Sequence, residues 1–112
     1  MEATLLKILD YIEKTVPDLS LAVSRGNLKA TGTGIIRLRS FSESLKAQLP
    51  IAFTNEVLAD FDRHLSFMEQ FLNEENFEYI RKNLDDIRDF DLPRIKQALH
   101  RLVEKTRVQY KK

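Results

Sequence analysis

A chain of 112 residues is long enough for one domain that buries roughly two-thirds of the surface its unfolded form exposes, and 43% hydrophobic with 31% charged residues is a globular composition. The 18 basic and 17 acidic residues leave a net charge of +1, which excludes a strong overall field directed at nucleic acid or at a membrane surface. The absence of cysteine excludes disulfides and thiolate metal sites and fits a reducing, cytoplasmic compartment.

The first predicted helix covers residues 2–15, where apolar residues recur at intervals of three and four up to Pro17. Its apolar face consists of Leu5, Ile8, Leu9, Ile12 and Val16. Charged residues interrupt this stretch, so we predict neither a signal peptide nor a membrane span. Residues 17–25 are predicted as a short helix, with Pro17 in its first turn and Gly26 as its stop.

Residues 27–34, with the sequence NLKATGTG, are predicted as a loop. All three glycines of the chain lie between positions 26 and 34, and clustered glycines are typical of an irregular connection. A second main helix follows the loop and ends at Pro50. Its predicted buried face consists of Ile35, Leu38, Phe41, Leu45 and Leu49.

The third main helix is predicted to begin at Thr54 and to end near residue 72, because a threonine before Asn55 and Glu56 is typical of an N-cap with an acidic first turn. Its predicted core face consists of Leu58, Phe61, Leu65, Met68 and Leu72. Phe67 and Phe71 lie beside that face, one helical turn apart. We predict that this pair forms a patch for a protein partner or for a second copy of the chain.

Two further helices are predicted in the last third of the chain. The first follows the start signal at residues 73–75, and its apolar residues are Phe77, Ile80, Leu84 and Ile87. The second begins near Asp91 and Pro93, and its apolar residues are Ile95, Leu99, Leu102, Thr106 and Tyr110. A tight turn should join the two helices and make them antiparallel. The segments above number five longer helices and one short one, and we predict from them an all-α antiparallel bundle of four main helices plus one short helix, in a single domain over residues 1–112.

Charge is distributed unevenly over these last two helices. Residues 73–91 carry a net charge of −4 and residues 92–112 a net charge of +6. Antiparallel packing would let Glu74, Glu78, Asp85 and Asp86 pair with the bases, at about 0 to 1 kcal/mol for each exposed pair. Alternatively, the bases form a surface for RNA, DNA or an acidic protein. That surface would consist of Arg94, Arg101 and Lys105, joined by Arg37 and Arg39 if the second helix lies close.

The segment RIKQALHRL, residues 94–102, places Arg94 six residues before His100. This pair resembles the R-x4-6-H signature of the HEPN superfamily, whose members are small helical bundles, often ribonucleases, toxins or dimeric scaffolds. The resemblance covers nine residues and the general architecture. It implies that Arg94 binds the scissile phosphate and that His100 moves a proton. A regular helix would separate the two side chains by about 120°.

His64 resembles the single exposed histidine of histidine phosphotransfer domains, which are four-helix bundles of similar length with an H-x-L-K-G-like motif around that histidine. Here the segment is HLSFM, with Phe67 in place of the motif's lysine and Met68 in place of its small residue. We therefore predict that His64 is a partly buried, hydrogen-bonded histidine of the core.

The sequence predicts no metal site and no cofactor. The segments DRH (Asp62 to His64) and LDDIRDFD (Leu84 to Asp91) contain neither paired His/Glu ligands at helical spacing nor a calcium loop with its central glycine. We favour a non-catalytic helical module for protein interaction or assembly, alone or within a larger protein or complex. The alternative is an RNA-contacting helical subunit or a HEPN-like ribonuclease that uses Arg94 and His100.

Overall fold

The computed structural model describes residues 2–110, with the side chains of residues 3–105, and this part of the chain is helical apart from short connections. The helices are α1 (Glu2–Ser24), α2 (Leu28–Gln48), α3 (Ile51–Val57), α4 (Ala59–Asn73), α5 (Phe77–Asp86) and α6 (Leu92–Tyr110), and a π turn (Ile87–Asp91) joins α5 to α6. Four long units, α1, α2, α4 and the continuous α5–α6 rod, pack together with the short α3. The predicted all-α bundle is confirmed.

Neighbouring helices of the bundle are antiparallel. Arg39 contacts Glu69, whereas Lys46, two turns later in α2, contacts Asp62, so α2 and α4 run in opposite directions. Around the bundle the order is α1, α2, α4 and the α5–α6 rod, which packs against α1 again. This order places α2 diagonally opposite α6.

Pro17 does not end the first helix, because α1 continues through it to Ser24. A proline inside a helix lacks the amide donor and crowds the preceding turn, at a cost of about 3 kcal/mol. The apolar face continues across the proline, however, and Val16, Leu19 and Val23 are at most 4% exposed. Burial of these side chains favours one continuous helix, so the prediction of a separate short helix over residues 17–25 is wrong.

The predicted loop over residues 27–34 is also wrong, since α2 begins at Leu28. The Asn27 side chain caps the helix by accepting a hydrogen bond from the amide of Ala30 at 3.1 Å. Gly34 is required for close packing: a Cβ atom there would lie 2.8 Å from Cδ1 of Leu19. The glycine therefore allows α1 and α2 to approach each other closely.

The third main helix begins at Ala59, not at Thr54. Residues 51–57 form the separate short helix α3, which starts directly after Pro50. At the joint, the amide of Leu58 donates to the carbonyl of Thr54 at 3.1 Å, and the Leu58 side chain is fully buried. The helix boundary is thus set by burial at Leu58 rather than by a cap at Thr54.

No tight turn separates the last two helices. The Leu92 amide donates to the carbonyl of Ile87, five residues earlier, which is the π hydrogen-bond pattern. The segments of 10, 5 and 19 residues form a rod about 50 Å long at 1.5 Å per residue, close to the 54 Å longest dimension of the molecule. The acidic and basic halves therefore lie end to end, and the prediction of two antiparallel helices is wrong.

The predicted ion pairs between these two halves do not form among the side chains that the structure describes. Glu78 pairs instead with Lys82, and Asp85 pairs with Arg81 and Arg88, all within the rod itself. Asp86 faces His64 of α4.

The predicted core faces are largely confirmed. The positions that are at most 8% exposed include Leu5, Ile8, Leu9, Ile12, Val16, Ile35, Leu38, Leu45, Leu49, Leu58, Phe61, Leu65, Met68, Ile80, Leu84, Ile87, Ile95 and Leu99. Phe41, Phe77, Leu72 and Leu102 are partly buried against them. Thr106 and Tyr110 lie outside the side chains that the structure describes. Over the described residues, no helix combines the length and the apolar character needed to cross a membrane.

Candidate functional site

A groove of about 690 Å³ lies between α1 and the junction of the π turn with α6. Its apolar lining residues are Val16, Pro17, Leu21, Leu92 and Pro93. Leu92 is 7% exposed, whereas Leu21 is 49% exposed, so the groove has both a buried wall and an accessible one. Binding sites in proteins are typically clefts of roughly 300 to 1,000 Å³ with mostly apolar linings, and helical bundles form them between helices. The groove has the size and lining of such a site.

Residues with little side-chain volume leave this groove open. Pro17, Ser20 and Ser24 line it from α1, and Pro93 lines it from α6. Both prolines are exposed. Two of the three prolines of the chain thus lie on opposite walls of a single groove, and both are inside continuous helical segments.

The charged side chains at the edge of the groove are paired with one another or with neighbours. Glu13 Oε1 lies 3.5 Å from Lys96 Nζ. Arg88 contacts Asp85 at 3.3 Å and Asp89 at 2.8 Å. The hydrogen bond between Arg88 and Asp89 raises the pKa of the guanidinium and lowers the pKa of the carboxyl group. The groove therefore presents no unpaired charge among the described side chains.

Phe67 and Phe71, the predicted partner patch, belong to a longer aromatic strip. Their ring centroids are 6.4 Å apart, and Phe71 stacks on Tyr79 of α5 at 5.1 Å. Lys82 Nζ lies 5.0 Å from the centre of the Tyr79 ring. Phe67 is 42% and Tyr79 46% exposed, whereas Phe71 is partly buried against the core. The sequence prediction missed Tyr79, because the contact depends on the packing of α4 against α5.

The structure does not bring the five predicted basic residues together. Arg39 bonds to Glu69 at 2.6 Å, and Arg94 bonds to Asp60 at 3.2 Å and to the carbonyl of Glu56 at 2.9 Å. Both guanidinium groups therefore hold helices together. The other three, Arg37, Arg101 and Lys105, are exposed and form no ion pair with a described side chain. Arg37 and Arg39 lie on α2, diagonally opposite the α6 bases, so they do not extend that surface.

Arg94 and His100, the predicted ribonuclease pair, both lie in the regular helix α6. Six helical positions separate their directions by about 120°. Arg94 reaches toward α3 and α4 through Glu56 and Asp60, and no hydrogen bond or ion pair between Arg94 and His100 occurs in the described part of the chain. A single copy of the chain does not bring the two side chains to one phosphate.

His64 is a partly buried, hydrogen-bonded histidine, as predicted. Its side chain is 14% exposed and its Nδ1 atom lies 2.5 Å from Oδ2 of Asp91. On the other side, Nε2 lies 3.8 Å from the carboxylate of Asp86. Asp86 and Asp91 face one ring because the π turn between them brings residues five apart onto one side of the rod. Burial raises the pKa of Asp91, and the bond to His64 opposes this effect.

Among the described residues, no group of three or more histidine, aspartate or glutamate side chains is arranged to hold a metal ion. Comparisons of the chain with models of protein families, with curated proteins and with solved structures found no match. A function can be inferred from the groove, the aromatic strip and the exposed bases.

The sequence prediction missed the groove, because it treated Pro17 and Pro93 as helix boundaries. A signal was nevertheless present. The apolar spacing continues from Val16 to Leu19 and Val23, which is the pattern of a helix that passes through a proline.

Proposed function

We propose that this chain is a non-catalytic helical module that binds a protein partner, and that the groove between α1, the π turn and α6 is its docking site. The observation that carries the proposal is an open cleft of about 690 Å³ with an apolar lining and fully paired charges at its edge. Helix-in-groove recognition uses such a surface, into which an amphipathic helix places apolar side chains at positions i, i+4 and i+7.

The aromatic strip of Phe67, Phe71 and Tyr79 supports a second contact, with a partner or with another copy of the chain. It offers less depth than the groove, because Phe71 is already packed against Tyr79 and the core. Its exposed part is mainly Phe67 and Tyr79. We therefore propose the groove as the principal binding site and the aromatic strip as a supporting contact.

An RNA-contacting or ribonuclease function has less support. Two of the predicted phosphate-binding residues, Arg39 and Arg94, are engaged with carboxylates, so binding RNA through them would break existing contacts. The exposed Arg101 and Lys105 stay available for such a role.

The test is an amide-resolved NMR titration of the labelled protein with an amphipathic helical peptide that carries leucine at positions i, i+4 and i+7. We expect shifts at Ser20, Leu21 and Leu92. Leu21→Asp, which puts a charge on the groove wall, should weaken binding at least about tenfold, or roughly 1.4 kcal/mol. The matched control is Ile36→Asp, at a position of α2 that is 69% exposed and does not line the groove.

Two outcomes would contradict the proposal. Shifts centred on Phe67 and Tyr79 would make the aromatic strip the principal site. No shift with peptide, but salt-sensitive shifts at Arg101 and Lys105 with single-stranded RNA, would favour nucleic acid, because phosphate contacts release counterions.

A further inference from the structure

The rod formed by α5, the π turn and α6 has an acidic half and a basic half. Residues 73–91 carry a net charge of −4 and residues 92–112 a net charge of +6. Because the rod is continuous, the two halves lie end to end rather than side by side. The fold of a single chain therefore does not neutralise one half with the other.

The two ends of the rod carry exposed charges without a partner among the described side chains. Glu74 and Glu75 directly precede α5 at the acidic end, and Arg101 and Lys105 lie in α6 at the basic end. All four side chains are exposed, and none forms an ion pair with a described side chain. At 1.5 Å per residue the acidic and basic groups lie about 40 Å apart. This distance is several times the Debye length of about 10 Å at 0.1 M salt, so the two ends do not attract each other within one copy.

A large aromatic side chain lies where the two halves meet. Phe90 belongs to the π turn, is 70% exposed and does not line the groove. Arg101 follows Phe90 by eleven residues, which is about three helical turns, so the two side chains lie on the same side of the rod. Aromatic rings dominate the energetics of protein interfaces. The exposed ring of Phe90 is therefore suited to anchor a partner.

A second copy of the chain fits this surface when the two rods lie antiparallel. A two-fold axis at Phe90 puts this ring against the same ring of the second copy. The axis also puts Glu75 opposite Lys105 of the second copy, because these residues lie 15 positions before and after Phe90. In a two-fold interface every such contact occurs twice, so each acidic end faces a basic end. A parallel arrangement would bring like charges together.

We propose that the chain forms a weak homodimer in which two α5–α6 rods pack antiparallel around Phe90, with the acidic end of each rod against the basic end of the other. A face about 50 Å long and one helix diameter wide, roughly 10 Å, buries roughly 500 Å² on each copy. Such an area is typical of weak and transient interfaces. The charges then determine the orientation of the two copies more than the strength of the dimer.

Sedimentation equilibrium of the full chain, at protein concentrations up to about 1 mM, measures the dissociation constant of the dimer. We expect a dimer at about 50 mM salt. The dissociation constant should rise at least about tenfold at about 500 mM salt, because salt screens the charges that meet at the two ends of the rods.

Two double variants test the antiparallel arrangement. Glu74→Lys with Glu75→Lys makes both ends of the rod basic, and Arg101→Glu with Lys105→Glu makes both ends acidic. Each double variant alone should dimerise at least about tenfold more weakly than the unmodified protein, because ends of like charge meet. An equimolar mixture of the two should form a heterodimer with a loss of at most about threefold in affinity, because opposite charges meet again at both ends.

The matched control is Lys29→Glu with Arg37→Glu, at exposed positions of α2. This control lowers the net charge from +1 to −3, as the acidic variant of the rod does. It should dimerise like the unmodified protein, since it changes the total charge and leaves the rod intact.

The position of the axis is tested with single cysteines, because the chain contains none. Under mild oxidation at low salt, Phe90→Cys should form a disulfide-linked dimer, since a disulfide requires two Cα atoms about 4.4 to 6.8 Å apart. Ile36→Cys, at a position of α2 that is 69% exposed, is the control and should form at least about tenfold less of the linked dimer.

Several results would overturn the homodimer. These are a monomer at about 1 mM protein and low salt, a dimer that neither salt nor the charge variants weaken, and a mixture that dimerises no better than its components. Equal cross-linking of Phe90→Cys and Ile36→Cys would overturn the contact at Phe90. Docking in the groove does not depend on the dimer and stands or falls with the peptide titration.

Discussion

Two antiparallel contacts of the bundle, α2 against α4 and α1 against α6, are built in different ways. Between α2 and α4, Asp62 accepts a hydrogen bond from Ser42 at 2.6 Å and contacts Lys46 at 2.5 Å, while Arg39 bonds to both Asp62 and Glu69. Polar side chains thus bridge the two helices along this contact.

Between α1 and α6, the described side chains form one ion pair, Glu13 with Lys96. Apolar residues, prolines and serines line the groove that stays open beside it. The comparison shows that ion pairs and hydrogen bonds bridge one side of a small bundle while another side keeps an open groove. The closed contact should contribute mainly to stability and the open one mainly to recognition.

A large loss of stability is expected from Asp62→Ala in the closed contact. The change leaves the buried Ser42 hydroxyl without its acceptor and removes a shared partner of Arg39 and Lys46. We expect a loss of about 2 kcal/mol in the free energy of unfolding, measured by urea denaturation. Asp60→Ala, on the same helix, removes only exposed pairs with Arg63 and Arg94 and should cost less than about 1 kcal/mol. Equal losses would show that the partly buried polar contacts of Asp62 between α2 and α4 stabilise the fold no more than exposed ion pairs do.

Pro17→Ala in the open contact should increase the free energy of unfolding, whereas Asp62→Ala should decrease it. The alanine restores a helical hydrogen bond and relieves steric crowding, while the unfolded chain gains some freedom. We expect the free energy of unfolding to rise by about 2 kcal/mol. Pro50→Ala, at a helix start, should change it far less. If Pro17→Ala destabilised the protein, Pro17 would contribute essential packing to α1. The α1–α6 contact would then serve stability in the same way as the α2–α4 contact.

A smaller and pH-dependent effect is expected inside the π turn that borders the groove. Burial raises the pKa of Asp91. At a pH between the unfolded and folded pKa values, the folded state therefore holds a proton that the unfolded state has released. Asp91 consequently destabilises the fold increasingly as pH rises from about 4 through its folded pKa. Arg88 lowers the pKa of Asp89, so Asp89 stabilises the fold above its unfolded pKa and loses this effect as pH falls through the folded pKa.

Urea denaturation of Asp91→Asn and Asp89→Asn between pH 3 and pH 6.5 measures these two contributions. Relative to the unmodified protein, Asp91→Asn should gain stability as pH rises, and Asp89→Asn should lose it. The side-chain amide introduced by Asp91→Asn can still accept a hydrogen bond from the ring of His64, which preserves the local contact. If the stability of both variants, relative to the unmodified protein, changed in the same direction with pH, folding would not shift the pKa values of Asp91 and Asp89 in opposite directions.

Much of the architecture followed from local pattern. The apolar spacing in residues 5–16, 35–49 and 58–72 predicted which side chains enter the core, because helical periodicity puts the same face of each segment inward wherever its neighbours lie. His64 was also predicted correctly, since a histidine flanked by apolar residues one and two turns away is normally buried. The sequence could not indicate Asp91 as its partner, because their contact requires the π turn.

Only part of the candidate site could be predicted. Phe67 and Phe71 do lie on one surface, but Tyr79 joins them only when α4 packs on α5. Arg39 and Arg94 looked available in the sequence and are engaged in the fold, because Glu69 and Asp60 come from distant segments that packing brings close.

The sequence alone was sufficient to establish the helical class and most of the core, since both depend on the spacing of apolar residues within single segments. Tertiary packing decided three further points: that α1 continues through Pro17, that residues 28–34 are helical, and that no tight turn divides the α5–α6 rod. In each of these places a local preference for a break competes with burial against another helix, and the burial of residues such as Leu19, Ile35 and Ile87 outweighs it. The groove is the result, because continuous helices place both prolines on facing walls.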